Sequence, residues 1–144
     1  MNNYKTSHGF TLIELMIGIG VVAILTTLAV NTYAGYMIRA YRSDVQANLV
    51  QGTQFMERMR LETGSYKPGG VAPTLPSTLN QSPASGTARY TIALDATSAT
   101  AYTLTATPSA SIASQEICGN LSLDNSGLKT FSAVTGDMRT CWGN

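Results

Sequence analysis

Only one histidine, His8, occurs in the 144 residues, and it sits in the polar start of the chain. The sequence contains no acid pair, no nucleophile motif, no glycine-rich phosphate loop and no group of His, Cys, Asp and Glu with metal-ligand spacing. It therefore offers no catalytic residues, no metal site and no cofactor, and the chain is not expected to be an enzyme. Charge is scarce as well. Asp, Glu, Lys and Arg make up 12% of the residues, and 9 basic against 8 acidic side chains leave a net charge of +1. That balance gives no electrostatic reason to expect nucleic acid or an acidic partner. The length leaves room for one modest domain and excludes a large multi-domain enzyme. Cysteine is limited to Cys118 and Cys141. In a small non-cytosolic domain such a pair is most simply read as one disulfide, with a transient redox pair or two free thiols as alternatives.

What the chain does have is one long apolar run. Phe10 to Val30 is 21 residues, which at ~1.5 Å per residue makes a helix of about 31 Å, enough for the hydrocarbon core of a bilayer. The run is too long for the core of a cleaved secretory signal, about 7–15 residues. The leader "MNNYKTSHG" carries Lys5 and the chain amine, while Arg39 and Arg42 follow the run, so positive charges alone leave the orientation nearly tied. Within the run stands one acid, Glu14. A carboxylate in a bilayer costs at least ~2.5–3.5 kcal/mol and calls for a cationic partner unless it lies near hydrated headgroups. No Lys, Arg or His of this chain is spaced to reach it inside the membrane, which directs attention to another molecule.

Gly9 followed by "FTLIELM" resembles the type III signal of type IV pilins and their relatives. The resemblance implies that a prepilin peptidase cuts between Gly9 and Phe10 and methylates the Phe10 amine. It also implies that Glu14 of one subunit pairs with the terminal ammonium of a neighbour, so that the cost of burying both charges is offset on assembly. His8 then falls in the removed leader, the leader faces the cytoplasm, and the C-terminal part faces the periplasm. One departure is that many pilins carry a proline late in this helix, where this chain has Val30-Asn31-Thr32. Asn31, Gly18 and Gly20 are the remaining candidate soft points or small-residue contacts.

Beyond the run, Tyr41, Val45, Leu49, Gly52, Met56 and Met59 recur at helical spacing, with Arg42, Asp44, Gln46, Gln54, Arg58 and Glu62 on the other faces. "ETGSYKP" supplies a stop near Thr63, with Gly64 at C′ and Pro68 beyond. Residues 71–87 are rich in Pro, Ser, Thr and Gly and read as a connecting loop. "RYTIALD" and "AYTLTAT" alternate as two strands of a hairpin, and "GNLSLD" and "LKTFS", joined by a turn at Asp124–Gly127, supply two more. The turn lacks the spaced acids of a calcium loop. The expected fold is α+β: a long N-terminal helix packed on an antiparallel sheet of about four strands, with a C-terminal disulfide loop. The tail "CGNLSLDNSGLKT…CW" resembles that of small PilE-like or ComP-like minor pilins.

The expected divisions are a cleaved leader at 1–9, a hydrophobic transmembrane and assembly helix at 10–35, and a periplasmic or extracellular head at 36–144. The expected function is a structural subunit of a type IV pilus, a minor pilin held in the inner membrane until it joins other pilin subunits in a fibre on the cell surface. The alternatives are a DNA-binding minor pilin that acts as receptor for DNA uptake, a major pilin, and a type II secretion pseudopilin. Nucleic acid is not favoured, because residues 36–144 carry eight basic and seven acidic side chains without a basic stripe.

Overall fold

A computed structural model describes residues 9–132 and 135–143, with the side chains of 28–32 outside the described set. The long helix α1 spans Leu12–Thr63. A single 3-10 turn follows at Pro68–Gly70. The strands are β1 (Gln81–Ser82), β2 (Tyr90–Asp95), β3 (Thr103–Pro108), β4 (Leu121–Asp124) and β5 (Lys129–Phe131). A short helix, α2, closes the chain at Met138–Trp142. The chain divides into two compact units, Met1–Tyr36 and Met37–Asn144.

The second unit is the α+β head. Its five strands lie in sequence order and pair antiparallel throughout. Period-2 alternation sends Tyr90 and Ile92 of β2, Leu104 and Ala106 of β3, and Leu121 and Leu123 of β4 to one face. Against that face α1 sets Ile38, Val45, Leu49 and Met56, all buried in the same core. Gly52 lies on this stripe, where a Cβ would stand 2.8 Å from Leu104 Cδ1, so the missing side chain lets helix and sheet approach closely. Tyr66 packs edge-on against Tyr102 with ring centroids 4.7 Å apart, closing the core beyond the helix end. The helix stops where the sequence places its C-cap: Gly64 has φ 77° and donates its N–H to Arg60 O at 2.7 Å.

Three features differ from the reading of the sequence. The sheet has five strands, because Gln81 and Ser82, inside the stretch expected to be a connecting loop, pair with Thr91 and Tyr90. A two-residue strand is too short to show alternation, and Asn48 Nδ2 on α1 steadies it by donating to Gln81 O at 3.1 Å. Arg42, expected on a face other than the apolar stripe, is buried. The helix α2 has no periodic pattern to announce it; its start is fixed by the Asp137 carboxylate, which accepts the Thr140 N–H at 2.6 Å. The turn at Asp124–Gly127 is a hydrogen-bonded one: Asp124 Oδ1 accepts from Ser126 N, Ser126 Oγ and Leu128 N at 2.6–2.9 Å. The Ser126 hydroxyl, with these amides, holds the Asp124 carboxyl below its ordinary range.

Both sheet edges are short, two residues at β1 and three at β5, which limits edge-to-edge pairing. Trp142 Nε1 donates to Thr130 O of β5 at 3.1 Å, tying the tail to that edge.

Candidate functional site

In the first unit, α1 opens with a cap. Thr11 Oγ1 accepts the Glu14 N–H at 3.3 Å, satisfying one of the orphan donors of the first turn, and Thr11 O accepts the Leu15 N–H at 3.2 Å as the first intrahelical bond. Glu14 stands in that first turn, where a carboxylate complements the positive end of the helix dipole. Gly9 and Phe10 precede the helix and are exposed, Phe10 to 81%.

The rest of the surface is apolar all round. Eleven large apolar side chains between Phe10 and Leu25 are each more than half exposed. A shallow groove along one side is lined by Phe10, Glu14, Leu15, Gly18, Ile19 and Val22. At about 1.5–3 kcal/mol per side chain, covering this surface is worth roughly 15–30 kcal/mol. A contiguous apolar surface of this size marks a membrane or protein contact. Among the described residues no helix is long and apolar enough to cross a membrane on its own. The expected span runs through 28–32, whose side chains lie outside the described set, as does that of Asn31.

In the head, one buried cluster joins elements far apart in sequence. Arg42 Nη2 donates to Glu116 Oε1 at 2.8 Å, in an ion pair whose side chains are 5% and 0% exposed. The same carboxylate oxygen accepts the Cys118 N–H at 2.8 Å, and Glu116 Oε2 accepts the Tyr90 hydroxyl. Arg42 Nη1 donates to Thr140 O at 3.0 Å, and Gln46 Nε2, one turn along α1, donates to Cys141 O at 2.6 Å. Two side chains of α1 thus satisfy carbonyls at the end of α2, and a cation sits where the helix dipole favours one. Cys118 and Cys141 are bonded, with Cα atoms 5.6 Å apart and both residues fully buried. Among the described residues no group of His, Cys, Asp and Glu is arranged to hold a metal ion.

The structure therefore places the sequence-derived residues in two separate sets: Gly9, Phe10 and Glu14 at the start of α1, and Cys118 with Cys141 in the head. Sequence reasoning missed Arg42, Glu116 and Tyr90. The available signal was that Arg42 falls one residue from the apolar stripe, between Ile38 and Val45.

Burial pushes the Tyr90 phenol well above its usual range, and its hydrogen bond to Glu116 adds to the effect. Burial likewise raises Tyr102, with the Glu57 charge adding, and Tyr66, with its hydrogen bond to Glu57 adding. A raised phenol pKa means that the folded head holds these protons more tightly than the unfolded chain. Their contribution is complete below the ordinary phenol value of about 10 and is lost as pH rises above it. In an alkaline titration, part of the phenolate absorbance should appear only together with loss of the folded circular dichroism. Full phenolate absorbance from a head that is still folded would contradict this.

Residues 31–122 match the family described as type IV minor pilin ComP, DNA uptake sequence receptor, and residues 4–30 match the prokaryotic N-terminal methylation motif. Prepilin peptidase-dependent protein D of Escherichia coli K12 is 30% identical over 135 residues, which cover 93% of this chain and 82% of that protein. Among solved structures, the non-core minor pilin PilV of Neisseria meningitidis superposes with a TM-score of 0.52 at 22% identity, covering 72% of this chain and 94% of that one. A type IV pilin from Shewanella oneidensis gives 0.50 at 24% identity, covering 69% and 98%. The two structural likenesses show the fold.

Proposed function

Because the chain belongs to the type IV minor pilins of the ComP family, we propose that it is a structural, non-enzymatic subunit of a type IV pilus, processed at Gly9–Phe10 and packed into the fibre through the start of α1. The observation that carries this reading is the apolar surface from Phe10 to Leu25, interrupted by the single carboxylate of Glu14. Such a helix needs cover on every side, first from the inner membrane and then from the helices of neighbouring pilins. Glu14 then acts as a register device, paired with the terminal ammonium of the next subunit. Contacts of this kind are heterologous and do not close, which is the geometry of a fibre.

The methylation-motif match and the name of the Escherichia coli relative both support processing by a prepilin peptidase. The test is the mass of the N-terminal peptide from cells that carry the peptidase. The expected peptide begins at Phe10 and is one methyl group heavier than the unmodified form. A chain that keeps its first nine residues in such cells would overturn the processing step.

A second reading, that the head binds DNA, is favoured by the family description, which names a DNA uptake sequence receptor. The charge pattern gives it little help. Arg42 and Glu116 withdraw into a buried pair, leaving seven basic and six acidic side chains in residues 36–144 to face solvent or other partners. A DNA-binding chain would shift duplex DNA with a marked salt dependence. Absence of such a shift at low salt would end that reading.

A further inference from the structure

The cystine is buried, with part of its own tail packed against it. Cys118 and Cys141 are both fully buried. Gly136 lies directly against the sulfurs: a Cβ there would stand 2.5 Å from Cys141 Sγ, 3.4 Å from Cys118 Sγ and 3.0 Å from the Ile117 carbonyl oxygen. With both residues fully buried and Gly136 packed against the sulfurs, an attacking thiolate has no route to the bond in the closed head. The tail that covers the bond is held by discrete hydrogen bonds from other elements. Gln46 donates to Cys141 O, Arg42 donates to Thr140 O, and Trp142 Nε1 donates to Thr130 O. Asp137 caps the start of α2 from within the tail itself.

We propose that Gly136–Trp142 is a strap that closes over the sulfur pair after oxidation, latched to α1 by Arg42 and Gln46, so that the bond is made on the open strap and shielded once the strap docks. The chemistry on the open strap is thiol–disulfide exchange with a dithiol oxidase in its disulfide form. One cysteine thiolate attacks that disulfide, the oxidant's S–S bond breaks, and a mixed disulfide forms. The second thiolate then attacks this chain's sulfur in the mixed disulfide, making the Cys118–Cys141 bond and releasing the oxidant as a dithiol. Two electrons pass from the chain to the oxidant, and the two thiol protons reach the oxidant's sulfurs through solvent. Reduction retraces the same path, so both directions require the strap to open. In a fibre or out of it, the order is oxidation first and docking second. The strap is a local opening unit within the head, distinct from its global unfolding.

The test uses the full-length chain in detergent micelles, treated with dithiothreitol without denaturant, quenched in acid and alkylated to count reduced cysteines. Oxidised glutathione under the same conditions gives the rate of an exposed disulfide. The wild-type bond is expected to be reduced far more slowly than that reference. Gln46→Ala removes one latch and should accelerate reduction about two- to tenfold, the effect of one net hydrogen bond on the opening equilibrium. Asn48→Ala removes a comparable bond from α1, to Gln81 O on β1, and should leave the rate unchanged. Wild-type reduction as fast as the reference overturns the shielding. Equal acceleration by both variants means that only unfolding of the whole head exposes the bond, which overturns the strap, and no acceleration by Gln46→Ala overturns the latch.

Discussion

Replacing Glu116 with alanine is expected to cost the head about 3–5 kcal/mol, because it leaves the Arg42 guanidinium buried without its counterion. Arg42 is 4% exposed, and its remaining partner is the Thr140 carbonyl. The Tyr90 hydroxyl and the Cys118 N–H lose their acceptor in the same step. At about 4–8 °C per kcal/mol for a domain near 100 residues, the melting temperature should fall by more than about 10 °C. Denaturant unfolding followed by the fluorescence of Trp142, the single tryptophan and a residue of the tail, measures it. Because an apolar pair avoids the desolvation cost altogether, Arg42→Met combined with Glu116→Leu should recover most of the loss. A loss below about 1 kcal/mol for Glu116→Ala would show that the pair is not the structural hub its contacts describe.

Glu14→Ala is expected to abolish or sharply reduce incorporation into fibres while leaving the stability of the head unchanged. The side chain is exposed and sits on the first turn of α1, in the unit that ends at Tyr36, so the head has nothing to lose from its removal. Removing it makes the run more apolar, so retention in a membrane should not suffer. What disappears is the charge that makes one stagger between neighbouring subunits better than the next. On a helix apolar all round, dispersion contacts alone distinguish neighbouring registers poorly. The measurement is the ratio of this chain in sheared fibres to that in membranes, for wild type and variant. Normal incorporation of the variant would remove Glu14 from the assembly mechanism.

The parts of the molecule that announce themselves in sequence are those that repeat. The apolar run from Phe10, the stripe through Val45, Leu49 and Met56, the glycine stop at Gly64 and the alternation in β2, β3 and β4 each express a period or a conformational demand that single residues carry. The tail disulfide was legible because only two cysteines exist to form it. The buried hub was not, since Arg42 lies on α1, Tyr90 on β2 and Glu116 in the connection between β3 and β4, and a basic residue beside an apolar stripe normally reads as solvated. Gly136 gave no signal either: what decides that position is the space left by two sulfurs, which no local pattern encodes. Strand β1 escaped for the opposite reason, being two residues long and defined by its partner rather than by itself.

The central claim, that this chain is a processed subunit of a pilus, is tested most directly by quantitative mass spectrometry of fibres sheared from native cells. The account predicts that the chain is present in small amount relative to the most abundant pilin and that its N-terminal peptide begins at methylated Phe10. Absence from the fibres, with the processed chain remaining in the membrane, would contradict it and turn the reading toward a pseudopilin or an assembly factor.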